Sequence, residues 1–76
     1  MKMSLKAIRY NKDLSIEEAS KMIGISKETL LNYESFKTFP NVLIIEKILN
    51  TYDVKYDDII FLPKNYGLTV KRDKEN

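Results

Sequence analysis

The stretch Ser15 to Lys37, SIEEASKMIGISKETLLNYESFK, decides the fold, and within it Ser26 to Tyr33 carries the functional reading. Two helix starts stand there. Ser15 precedes Glu18 by three residues, the spacing of a capping box, and Ser26 precedes Thr29 by three, which fits a plain N-cap. Between them lies Gly24, which can take positive φ without a Cβ penalty and turn the chain sharply. The prediction is helix, tight turn, helix.

Spacing then sorts the faces. Ala19, Ser20 and Ile23 share one side of the first of these helices, Leu30 and Tyr33 one side of the second, and Ile25 joins them from the turn. Small residues at 19 and 20 let the two backbones approach where the helices cross. Lys27, Glu28, Leu31 and Asn32 are left pointing outward, and the i, i+4 pairs 27/31 and 28/32 make them one patch.

With LKAIRYNKDLSIEEASKMIGISKETLLNYES followed by PNVLIIEKILNTYDVKYDDII, the chain resembles the lambda-repressor/Cro, or Xre-like, helix-turn-helix family of phage and bacterial regulators over roughly positions 5 to 60. The resemblance implies an all-α, compact five-helix domain over 1–62. Its recognition helix, about 27–34, would lie in the major groove. Lys27, Glu28 and Asn32 match base-contacting positions: Lys can donate to guanine, Asn can pair with adenine, and a carboxylate can accept from cytosine. Leu31 adds a contact to a thymine methyl. Ser26, Thr29, Lys37, Thr38 and Asn41 are phosphate candidates, Asn41 being also the N-cap of the next helix. An Arg–Glu pair of the family maps onto Arg9 and Glu34, and would tie the first helix to the recognition helix. Two positions depart from the pattern. Ile16 stands where the family often has a phosphate-contacting Gln. Phe36 stands where it usually has Gly, so the backbone there either avoids positive φ or holds a Phe in it.

Composition sets the bounds. Seventy-six residues make one small domain, which by size alone buries only about 60% of its chain surface. With no cysteine and no histidine there is no disulfide, thiolate site or imidazole base, so the expectation is a non-enzyme without metal or cofactor. The longest apolar run, Val42 to Ile45, is far short of the roughly 20 residues of a membrane span, and no signal-peptide core opens the chain. A cytoplasmic protein is expected. The net charge of +2 is weak, but up to Pro40 basic residues outnumber acidic ones seven to five, against six to six beyond it. Lys6 and Lys12 are therefore further phosphate candidates.

Elsewhere, Ser4 is a plausible cap for a first helix through about Lys12, with Leu5 and Ile8 inward and Tyr10 as packing. Leu14 sits at the staple position before Ser15. Helix four should run from Val42 to about Tyr52 with Val42, Ile45, Leu49 and Tyr52 inward and Ile48 beside them, leaving Leu43 and Ile44 surplus. Asp53 takes the turn, and a short fifth helix is expected through Tyr56, Ile59 and Ile60. Over 63–76, Tyr66, Leu68 and Val70 alternate with Gly67 and Thr69. That reads as an extended C-terminal tail that folds over its own subunit, pairs with a copy, or is floppy, ending in a disordered KRDKEN.

The expected function is sequence-specific binding of double-stranded DNA as a repressor-like transcriptional regulator, acting as a homodimer without a small-molecule ligand. The alternative is a helix-turn-helix interaction module, antitoxin- or antirepressor-like, in which Ile16, Leu31, Phe36 and Phe39 anchor a protein partner.

Overall fold

Among the described residues each α-helix opens on a side-chain cap and closes on a left-handed residue. In the computed structural model, which describes residues 2–61, the order is β1 (Met3–Ser4), α1 (Leu5–Asn11), α2 (Ile16–Ile23), α3 (Lys27–Glu34), α4 (Val42–Tyr52) and β2 (Ile59–Ile60). Ser4, Ser15, Ser26 and Asn41 are the N-caps, their side chains accepting from the amides of Ala7, Glu18, Thr29 and Ile44 at 2.9–3.1 Å. Glu18 returns the bond to the Ser15 amide at 2.9 Å, completing the capping box.

At the other ends Asp13, Gly24, Phe36 and Asp53 all have positive φ, 59°, 94°, 64° and 57°. The next amide in each case reaches back to a carbonyl of the closing turn: Leu14 to Arg9, Ile25 to Ser20, Lys37 to Asn32 and Val54 to Leu49, at 2.8–3.1 Å. These are Schellman-type closures. Gly24 and Asp53 were expected there. Phe36 answers the alternative at its position, because the backbone keeps the family's left-handed turn and a Phe sits in it.

Ala19, Leu30, Ile48 and Tyr52 are wholly buried, with Leu5, Ile8, Ile23, Ile45, Ile59 and Phe61 around them. The buried Ser20 hydroxyl donates to the Glu17 carbonyl, so its burial leaves no open donor. Leu14, Ile16, Ile25 and Tyr33 pack partly buried against this core.

The inward face of α4 corrects the sequence reading. Val42 is 73% exposed, whereas Ile44 packs against the core and Ile48 lies at its centre. The buried set is Ile45, Ile48 and Tyr52 flanked by Ile44 and Leu49, which turns the face away from Val42; the first turn of α4 projects past the core's edge. Leu43 is exposed, as its spacing implied.

The fifth helix is also corrected. Tyr56–Asp58 form a single 3-10 turn, the Lys55 amide donating to Asp58 at 3.2 Å, and the chain then runs extended. Met3 aligns with Ile59 and Ser4 with Ile60 in a parallel two-stranded ladder. Burial of Ile59 and Phe61, two residues apart, explains the outcome: period two serves this β-branched stretch better than a costly isolated helical turn. Four helices and a minimal ladder thus stand where five helices were expected. Pro40 is buried, and Phe61 joins the last segment to the α3–α4 loop, edge-on to Phe39 at 5.8 Å and stacked on Tyr56 at 5.5 Å. The tail expected over 63–76, with Tyr66, Leu68 and Val70, lies outside the described residues.

Candidate nucleic-acid interface

The outward side of α3 begins with its cap. Ser26 Oγ accepts from the Thr29 amide at 3.1 Å and donates to Thr29 Oγ1 at 2.8 Å. The Ser26 proton is therefore engaged within the protein, while Thr29 keeps a hydroxyl proton to offer. From this start the 3.6-residue period brings Leu30 fully inside and leaves Lys27, Glu28 and Leu31 exposed, with Asn32 half-buried at the edge. The four patch residues form one surface, as their spacing implied. Among the described residues no hydrogen bond occupies the Asn32 carboxamide; the Asn32 carbonyl accepts from Lys37 and anchors the turn.

What fixes the attitude of α3 is a buried fork. Arg9 Nε and Nη2 reach Glu34 Oε2 and Oε1 at 2.7 and 3.1 Å, and Nη1 donates to the Leu14 carbonyl at 3.0 Å. Both side chains are nearly sealed from solvent. One guanidinium thus joins α1, the loop before α2 and the last residue of α3. Donating to the Glu34 carboxylate raises the Arg9 pKa further, outweighing desolvation, so the cation is permanent. Tyr10, expected as packing, is exposed with the Arg9 guanidinium 4.9 Å from its ring centre. Tyr52 of α4 lies below with its hydroxyl buried and unpaired among the described residues. Burial first, then the Glu34 carboxylate, pushes its pKa up to about 12, against a smaller lowering by Arg9.

The remaining phosphate candidates, Lys37, Thr38 and Asn41, stand exposed in the loop beyond α3. Asn41 spends its carbonyl oxygen on the Ile44 amide, 2.9 Å away, which leaves its NH2 group outward. Of the apolar residues near this surface, Leu31, Phe36 and Phe39 are exposed, whereas Ile16 is half-buried against the core and lines with Leu31, Lys6 and Tyr10 a shallow groove between the helices. Sequence reading missed Glu17, whose Oε2 lies 3.3 Å from Lys27 Nζ. Ten residues separate them, and only the crossing of α2 and α3 brings them together. The described residues hold no group of three or more His, Cys, Asp or Glu side chains able to grip a metal, and no helix among them is long and apolar enough to cross a membrane.

The helix-turn-helix family model matches residues 5–59. An uncharacterised HTH-type transcriptional regulator of Methanocaldococcus jannaschii is 34% identical over 59 residues, covering 78% of this chain and 89% of that protein. No solved structure gives a significant match. With its two capped helices, the left-handed turn at Gly24 and the family match across both, the chain belongs to the helix-turn-helix family of the lambda-repressor/Cro, Xre-like type.

Proposed function

We propose that this protein binds double-stranded DNA sequence-specifically, with α3 in the major groove, and acts as a repressor-like transcriptional regulator. The observation that carries the reading is the outward patch of Lys27, Glu28, Leu31 and Asn32 on a helix whose attitude is locked by the Arg9–Glu34 fork. A rigidly held helix presenting a cation, a carboxylate and a free carboxamide can discriminate base edges, because each such group has a distinct partner in the major groove. Lysine suits guanine, the carboxamide adenine, the carboxylate cytosine, and Leu31 a thymine methyl. Thr29, Lys37, Thr38 and the Asn41 amide supply phosphate contacts, with Ser26 contributing its backbone at the helix start. A single small domain reads few base pairs, so two copies on half-sites about one turn apart are the natural assembly. The protein binds rather than catalyses, takes no cofactor or small ligand, and works in the cytoplasm.

A second reading is favoured by one observation, the exposure of Leu31, Phe36 and Phe39 around the same helix. Apolar groups contribute little on phosphate and much at a protein interface, so a protein partner is the competing occupant.

The deciding experiment is selection of bound fragments from a random duplex library, followed by mobility shift at two salt concentrations with Asn32→Ala and Lys27→Ala alongside. Expected are an enriched short palindrome, weaker binding at high salt, and a loss of about 1–3 kcal/mol of discrimination for each variant. Equal loss on random DNA would count against base reading. No enriched sequence, or binding indifferent to salt and to Asn32, would transfer the surface to a protein partner.

A further inference from the structure

We infer that Glu17 is a positioning residue that restrains Lys27, so that the lysine is released only to a contact stronger than the carboxylate; the inference rests on the DNA-binding reading above. The pair spans the helix crossing, from the first turn of α2 to the first residue of α3, at 3.3 Å. The two helix ends act on it in opposite ways. A carboxylate at the start of α2 is favoured by the helix dipole, while an ammonium at the start of α3 is disfavoured. Glu17 therefore compensates Lys27 where its own helix repels it. Neighbouring Glu18 does not compete, being committed to the Ser15 amide at 2.9 Å.

Exposure sets the strength of the restraint. The side chains are 55% and 74% exposed, so the pair is screened and worth about a two- to fivefold factor in an equilibrium. A lone phosphate offers Lys27 a solvent-screened contact of similar size and gives little reason to leave. A guanine edge, with O6 and N7 side by side, offers two acceptors at once and wins. In this way the carboxylate taxes binding to DNA through the very residue that reads it.

The test is a double-mutant cycle by fluorescence anisotropy, using wild type, Glu17→Gln, Lys27→Met and the double variant on a duplex enriched by the wild type from a random library. Both positions are exposed, and thermal melts verify that all four proteins fold. Glu17→Gln should tighten binding about two- to fivefold, and the gain should vanish when Lys27→Met is present. The same gain in both backgrounds would make Glu17 a general repeller of DNA and overturn the restraint, as would no gain at all. A library from which neither wild type nor Glu17→Gln enriches any sequence would overturn the DNA-binding reading itself and this inference with it.

Discussion

Arg9 and Tyr52 are buried polar side chains that lie beside Glu34, the last residue of α3. Arg9 spends all three guanidinium nitrogens inside the protein, two on Glu34 and one on the Leu14 carbonyl. Removing it leaves a sealed carboxylate without a partner, and the loss of one member of a buried pair costs about 3 kcal/mol. Arg9→Ala should lower the melting temperature by on the order of 10 °C or more for a domain of this size. Replacing both partners, as Arg9→Met with Glu34→Leu, should recover most of that loss while still weakening DNA binding through a mis-set α3. An unchanged melting temperature in Arg9→Ala would refute the structural role. Tyr52 provides a separate readout in alkali. Burial pushes its folded pKa up to about 12 against 10 in the unfolded chain, so the unfolded chain ionises first and folding stability, unaffected by this group below pH 10, falls as pH rises towards 12. Tyr52→Phe should match or slightly exceed wild type at neutral pH, since it deletes an unpaired buried hydroxyl. It should also lose roughly 2 kcal/mol less between pH 10 and 12. Superimposable alkaline denaturation curves for the two proteins would contradict this assignment.

At the scale of elements, the helix ends carry the information. Three N-caps and the capping box were legible as Ser or Asn three residues ahead of a bonding amide, and Gly24 and Asp53 as turn residues. The left-handed Asp13 was not, since its residue type does not demand that conformation, and Phe36 was legible only as one of two alternatives; hydrogen bonds from Leu14 and Lys37 impose the turn at each. Phe36 holds its left-handed turn directly after α3. The α3 patch was legible because 27, 28, 31 and 32 follow one helical period. Its restraint by Glu17 was not, because it depends on the angle between two helices rather than on a period within one. The missed ladder has the same origin: Ile59 and Ile60 are too few to display a period, and their partner strand lies at the far end of the described chain. Gly24 gives the clean test of an end. A Cβ added there meets nothing within 4 Å, so any loss in Gly24→Ala comes from the +94° φ alone. A destabilisation of about 1 kcal/mol is expected by chemical denaturation, with α2 and α3 retained. A neutral result would mean the turn relaxes to negative φ.

For the whole molecule, a net charge of +2 looks too small to hold DNA, yet affinity for a polyanion is set by the cations that reach it. Lys6, Lys12, Lys27 and Lys37 are all exposed, and all four belong to the more basic half of the chain. Arg9 cannot join them, being committed to Glu34. Each phosphate neutralised contributes about −0.9 to the slope of log K against log salt, so with Lys27 given to base edges one protomer using Lys6, Lys12 and Lys37 gives a slope of about −2.7 and two give about −5.4. The measurement therefore reports assembly as well as charge. Two copies on a palindrome should give the steeper slope on the full site, falling to about half on a duplex with one half-site scrambled. Lys37→Ala should then lower the full-site slope by about two, one for each copy, and weaken specific and random DNA alike, because it touches backbone rather than bases. The shallower slope on an intact palindrome would mean that a single copy binds. In that case concentration-dependent self-association off DNA should be absent as well.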